Sequence, residues 1–349
     1  MERALQVASG VGGDTSHSTC YTGNPIDDCW LCDADWRSNR KRLADCVVGF
    51  GHNAVGGRDG QEYVVNDSSD DSPSDPKPGT LRHAAMQTQP LWIVFASNMT
   101  ITLSEDLLVS SFKTIDGRGA DVYVTGAGCF YLKKVNNVII HNIHIHDCVK
   151  SKQDGDGITV RASRDVWIDH CTLWSCHDGL IDVTHASTGV TISNNHFHHH
   201  VKVMLLGHSD RFPEDAGMQV TVAFNRFGEE LAERMPRCRF GFFHVVNNDY
   251  VGWTLYAVGG SSNPTINSQG NRFAALAGAD QKEVTRRMHA GESEWRRWDW
   301  RSQGDLLQNG AIFTASGDSN DAFYQKATSI KAFPAALVGS ITKNAGVLG

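Results

Sequence analysis

Nowhere in the 349 residues is there an apolar run of about 18 residues, so no bilayer-spanning segment is expected. Positive charge is also in short supply. With 32 Lys and Arg against 39 Asp and Glu the net charge is -7, which argues against general affinity for nucleic acid and gives no diffuse attraction to any polyanion. An acidic ligand would have to be held by local cations. Proline is scarce, nine residues against 34 glycines, a balance that suits a turn-rich β protein. Cys29 and Cys32 form a CxxC, but neither a second CxxC nor a histidine pair accompanies it, and this weighs against a zinc or redox site. The chain does not open with a charged stretch followed by an apolar one. Any export signal is therefore expected to have been removed or to lie outside this sequence.

Cysteine itself is plentiful. Nine residues, four of them among the first 46, point to disulfide stapling in an oxidising compartment, and the odd count leaves at least one thiol free, with Cys171 expected to be buried. Asn66-Asp-Ser and Asn98-Met-Thr would be glycosylation acceptors in an exported chain.

Six segments resemble one another: NVIIHNIHI, DVWIDHCTL, VTISNNHF, VTVAFNRF, FHVVNNDY and TINSQGNRF. With Asn142, His170, Asn195, Asn225, Asn248 and Asn271 as markers, the steps are 28, 25, 30, 23 and 23 residues. A period of that size is one solenoid rung. A single rung cannot bury its own apolar face, so neighbours must stack, with parallel strands roughly 4.8 Å apart. The expected fold is all-β, a parallel β-helix forming one domain over 1–349, with rungs over 80–275. Residues 1–32 read as irregular. A capping helix is expected over 33–46, where Asp35 to Cys46 shows helical spacing. A C-terminal helix at Gln281 to Ala290 and a packing tail are expected over 276–349, with Trp295, Trp298 and Trp300 along the outside of the rungs.

The chemistry is concentrated on consecutive rungs. Asp154 and Asp156 lie in DGDG, and one rung later Asp178 and Asp182 lie in HDGLIDV. Asp178 and Asp182 share strand parity, opposite to Ile181 and Val183, so both should face solvent, and stacking brings the two pairs within about one strand spacing. Four carboxylates so placed repel unless a cation sits among them, and an all-oxygen donor set favours calcium. Lys202 follows on the next rung, outward if Val201, Val203 and Leu205 are core, and RMPRCRFG adds Arg234, Arg237 and Arg239. Cations beside a metal site make sense where an anionic polymer bridges the two. In the tract His196, His198, His199 and His200, strand alternation sends neighbours to opposite faces, which weighs against a metal role.

At WIDHCTLWSCHDGLIDV, VMLLGHSD and RMPRCRFGFFHVVNNDY the sequence closely resembles the plant pectate lyases of polysaccharide lyase family 1, which include pollen allergens. The resemblance extends from NPIDDCW through LADC, KPGTLRHA, TIDGRGA and GGSSNPTINSQGNRF to WRSQGDLLQNGAIF. It implies a right-handed parallel β-helix, secreted to the cell wall, that cleaves polygalacturonate by calcium-dependent β-elimination. Asp154, Asp156, Asp178 and Asp182 resemble the family's calcium ligands, Arg234 its catalytic base, and Lys202 and Arg239 its substrate-binding cations. Cys29 to Cys46 and Cys129 to Cys148 are similar to family disulfides. Between His146 and Asp154 only DCVKSKQ intervenes, shorter than the insertion many plant members carry. An arginine base and the cations around it imply an alkaline optimum. The implied partner is pectate, with no nucleic acid, no membrane and a monomeric chain. Two other readings stay open. An inverting polygalacturonase-type hydrolase would use carboxylates roughly 6.5–9.5 Å apart and water, and a non-catalytic pectin-binding or allergen-like β-helix would use neither.

Overall fold

The computed structural model describes residues 20–318 and 321–349; the first 19 residues of the expected irregular N-terminal segment lie outside the described residues. The β-branched and aromatic runs form three sheets of ten, nine and nine strands, and the ladders between successive turns of chain are parallel. One turn visits each sheet once. The strands Ile158–Arg161, Arg164–Asp169 and Thr172–Trp174, for example, are followed by Gly179–Thr184, Thr188–Ser193 and His196–Phe197. Like positions therefore stack into columns. Ile140, Ile168, Ile192, Val222 and Val245 form one such column in the ten-stranded sheet, and all five are fully buried. Phe197, Phe227, Tyr250 and Phe273 form an interior ring stack, with centroids 5.1, 4.5 and 4.4 Å apart. Among the described residues no helix is long and apolar enough to cross a membrane.

The marker residues fall into two positions rather than one. Asn142, His170, Asn194, Phe224 and Asn247 occupy a left-handed corner, with φ of 63°, 51°, 53°, 59° and 52°, a conformation asparagine tolerates better than most residues. The next residue turns inward, and there Asn195, Asn225, Asn248 and Asn271 form a buried ladder. Each side-chain oxygen accepts from the backbone N–H of the rung before, at 2.9, 3.0 and 2.8 Å for the three internal steps. Cys171, the equivalent of Asn195 one rung earlier, donates its N–H to Asn195 Oδ1 at 2.9 Å. His170 is thus one residue out of phase with the later markers.

Several expectations at the ends need correction. Helix α1, Pro25–Trp30, lies inside the segment read as irregular and is capped by Asn24, while 33–46 holds only a 3-10 turn, Arg40–Asp45. Both pack against outward-facing Trp92, Ile139 and Trp167 of the ten-stranded sheet, not over an open end. Helix α2, Leu81–Met86, packs against the terminal strands Gln61–Val65 and Leu107–Leu108 and does the capping. Gln281 to Ala290 contains the strand Thr285–Arg287, because its backbone completes the ladder beside Val258–Ser261, and tertiary pairing overrides the local amphipathic pattern. With Trp300–Gln303 and Leu306–Gln308 that strand adds a further turn. Trp298 and Trp300 are buried in the core, not laid on the outside, and Trp295 packs against them partly buried.

Cys29–Cys46 and Cys129–Cys148 are disulfides, as is Cys20–Cys32, so the two cysteines of the CxxC have different partners. Cys171, Cys176 and Cys238 are free and buried.

Candidate functional site

Three adjacent strands of one nine-stranded sheet, Ile158–Arg161, Gly179–Thr184 and His200–Leu206, build one wall of a cleft. Their register stacks Tyr131, Thr159, Asp182, Leu205 and Arg237 into one outward-facing column along the solenoid. Asp154, Asp156 and Asp178 come from the bends entering these strands, and all four aspartates line the same cleft of about 260 Å³. The chain does not reach this arrangement by simple alternation. Leu180 shares parity with Asp178 and Asp182 yet is fully buried, because the chain bends at His177 and Asp178 as it enters the strand. The next rung repeats the irregularity. Val203 and Met204 are both buried, Val201 is 57% exposed, and Leu205, expected in the core, lines the cleft.

The carboxylates differ in environment. Asp156 accepts from Gly179 N–H and Thr159 Oγ1, each at 2.8 Å. Burial raises its pKa against those hydrogen bonds, and the charges of Asp178 and Asp154 add to the rise. Asp182 is pushed well above the usual carboxylate range by burial and by the charges of Asp156 and Asp178, with Arg234 acting the other way. Lys202 Nζ lies 2.7 Å from Asp178 Oδ1, which neutralises part of the cluster. His200 Nε2 meets the Asp178 carbonyl oxygen at 2.7 Å, so the last histidine of the tract abuts the cleft, whereas His196 and His198 lie on another sheet, where His198 stacks on Trp174. Among the described residues no three acidic, cysteine or histidine side chains already stand at the spacing of a closed metal site. The donor set still fits a hard divalent cation. It offers carboxylate oxygens only, and Asp156 and Asp182 are raised first by burial and then by neighbouring carboxylates, a cost that a cation among them would relieve.

The basic residues stand beside this cluster, Lys202 touching Asp178 and the charge of Arg234 acting on Asp182. Arg234 sits in a left-handed conformation, φ 64°, just before the cis Met235–Pro236 peptide. Its Nε is buried without a hydrogen-bond partner, and the nearest carboxylate oxygen, on Glu233, is 3.5 Å away. Arg239 is anchored. Its Nε donates to Asp210 Oδ1 at 3.0 Å and its Nη1 to the Gly207 and His208 carbonyl oxygens at 2.9 and 3.1 Å, while Asp210 is itself held by Ser261, Ser262 and His289. Sequence reasoning missed Asp210, Tyr131 and His185. Asp210 stands in GHSD directly after the Lys202 strand, and the presence of a carboxylate facing an arginine cluster was the available signal.

The arrangement joins an anionic pocket able to hold a cation, a lysine and two arginines on one face of a long solenoid. Known proteins resemble this chain in sequence and fold. The family model described as pectate lyase matches residues 102–348. "Probable pectate lyase 12" of Arabidopsis thaliana is 55% identical over 353 residues, covering 96% of this chain and 73% of its own. The "Pectate lyase" of Zinnia elegans is 54% identical over 346 residues, covering 95% and 86%. The crystal structure of jun a 1, the major allergen from cedar pollen, is 47% identical and superposes with a TM-score of 0.89, covering 93% of this chain and all of that one. A family match over more than half of the chain, together with relatives this similar over most of its length, leads to one conclusion: the chain belongs to the pectate lyase family.

Proposed function

We propose that this protein cleaves (1→4)-α-D-galacturonan, the polygalacturonate of plant cell wall pectin, by calcium-dependent β-elimination. The observation that carries this reading is a cleft lined by four aspartates, with Lys202 paired to one of them and the charge of Arg234 close enough to act on another. Asp154, Asp156, Asp178 and Asp182 would hold the calcium ion, with Lys202 free to exchange its contact with Asp178 for a substrate carboxylate. When bound, the ion supplies Lewis-acid polarisation of the uronate carboxylate, which acidifies the adjacent C5–H.

Arg234, as the neutral guanidine, takes the C5 proton through an Nη nitrogen, its Nε being 3.5 Å from Glu233. The C–H electron pair becomes the C4–C5 double bond, the C4–O4 bond breaks, and O4 leaves with its electrons and is protonated by water. Lys202 and Arg239 stabilise the negative charge that builds on the carboxylate side as the proton departs. Asp210 keeps Arg239 in place for that task. Secretion to the cell wall follows from the substrate and accords with three disulfides and with the exposure of Asn66 and Asn98.

The test is ultraviolet absorbance after mixing with polygalacturonate. Unsaturated product should accumulate with calcium and stop on adding chelator. New reducing ends without absorbance would instead establish a hydrolase, and neither signal would leave a binding protein.

A further inference from the structure

Around the corner from the cleft, on the neighbouring nine-stranded sheet, the rings of His146, Trp174 and His198 stack across successive rungs with centroids 4.3 and 5.1 Å apart. The stack ends at His198. Its neighbour one rung on is Gly228, which has no side chain to continue the column, and a niche is left there. His196 Nε2 points into it. A Cβ on Gly228 would stand 2.6 Å from that nitrogen, which is buried without a hydrogen-bond partner. Alternation puts His196 and His198 on one face, their centroids 4.9 Å apart, and the left-handed corner at His199, φ 49°, brings a third ring to them. His198 Nδ1 and His199 Nδ1 are 2.8 Å apart. Two carboxylates stand by, Glu229 Oε2 at 3.9 Å from His196 Nε2 and Glu230 Oε1 at 3.6 Å from His199 Nε2.

Imidazole ligates a metal through the lone pair of its neutral form. Burial, with the charges of His198 and Arg226 behind it, drops His196 to about 4, and burial lowers His198 as well, so both rings are neutral near pH 7. Glu230 favours the His199 proton on Nε2 and so leaves Nδ1 as an acceptor. Without a metal that Nδ1 takes the His198 Nδ1–H; with one, the His198 proton shifts to Nε2. Two nitrogens about 2.0 Å from an ion and at right angles around it are about 2.8 Å apart, whereas a tetrahedral ion needs about 3.3 Å. The spacing suits tetragonal copper(II). We propose that His198 and His199 chelate a copper(II) ion beside Gly228, with His196 Nε2 and Glu229 closing on it. Among the described residues no third donor already stands at ligating distance. Glu229 can supply one, because its side chain is 54% exposed and Arg226 holds only its Oε1, at 3.0 Å. A nitrogen-rich set of this kind discriminates against calcium, which takes oxygen ligands, so this site is chemically separate from the aspartate cluster.

Copper(II) sulfate titrated into tag-free, full-length protein in excess calcium tests this, with the bound ion read by electron paramagnetic resonance. One ion per chain should bind and show hyperfine splitting from at least two nitrogens. His198→Gln and His199→Gln should each weaken binding about tenfold or more, and Glu229→Gln about two- to fivefold. His146→Gln, on the far side of Trp174, should leave it unchanged. Far-ultraviolet circular dichroism establishes that each variant folds. A signal without nitrogen splitting, displacement of the copper by further calcium, or equal affinity in wild type, His198→Gln and His199→Gln would overturn the site. The splitting and the calcium competition need no variant, so they decide the matter even where a substitution unsettles the fold.

Discussion

Arg234 and Asp182 owe their proposed roles to what surrounds them. Arg234 Nε has no hydrogen-bond partner and its nearest carboxylate is 3.5 Å away, so the side chain is positioned without being tied down. Arg234→Lys keeps a cation but moves the accepting nitrogen and removes the fork. Loss of a positioned base costs about 10²- to 10⁴-fold, so elimination should fall by about a hundredfold or more with the melting temperature unchanged. Retention of most of the rate would end the guanidine's specific role. For Asp182 the sign is less intuitive. Its raised pKa means that ionisation costs more in the folded state than in the unfolded one. The proton-bound form favours folding, and that contribution is lost as pH climbs above the ordinary carboxylate value through the raised one. Asp182→Asn should therefore be more stable than wild type in chelator. Wild type alone should then gain on adding calcium, about 2.7 kcal/mol at a hundred times Kd. Melting curves with and without calcium read both effects.

At the scale of elements, the rungs were readable because stacking repeats a composition: β-branched runs, then an asparagine corner, at intervals near 25 residues. The Asp pairs were readable for the same reason, since a known period converts sequence distance into spatial proximity. What escaped was phase. His170 was grouped with Asn195, although the corner position and the inward position are neighbours in sequence and the two residues belong one to each. Leu205 escaped because strict alternation fails on its strand, where Val203 and Met204 are both buried. The inward asparagines also carry a cost of their own. Asn225 accepts from Asn195 N–H, donates to Asn248 Oδ1 at 2.9 Å and to the Ile192 carbonyl oxygen at 2.9 Å. Asn225→Ala would strand these groups in the dry interior, at about 1–3 kcal/mol for each that stays unsatisfied. A loss of about 3 kcal/mol in chemical denaturation is expected. A loss below 1 kcal/mol would show that the ladder is dispensable.

Across the whole molecule, the two long faces do different work: the site sheet carries the cleft, while the ten-stranded sheet is covered by α1 and the chain's end. Beneath that cover His170 is fully buried, its Nε2 2.8 Å from Asp27 Oδ1 on α1 and its Nδ1 3.0 Å from the Gly346 carbonyl oxygen. Burial opposes its charge, but Asp169 and Asp27 outweigh it and raise the imidazole to about 9. His141, 2.9 Å from Asp169, goes the other way, because burial lowers its pKa and keeps it neutral. A folded pKa above the unfolded value of about 6.5 means that the contribution is complete below that pH and lost as pH rises through about 9. The difference corresponds to about 3 kcal/mol. High pH favours a guanidine base yet loosens the tie among α1, the C-terminal segment and the sheet. Melting temperature should therefore decline between about pH 7 and 10 in wild type, and much less in His170→Gln, which starts lower. An equal decline in both would place the alkaline weakness elsewhere. If the decline is His170's, initial elimination rates should keep rising with pH after longer incubations have begun to lose activity.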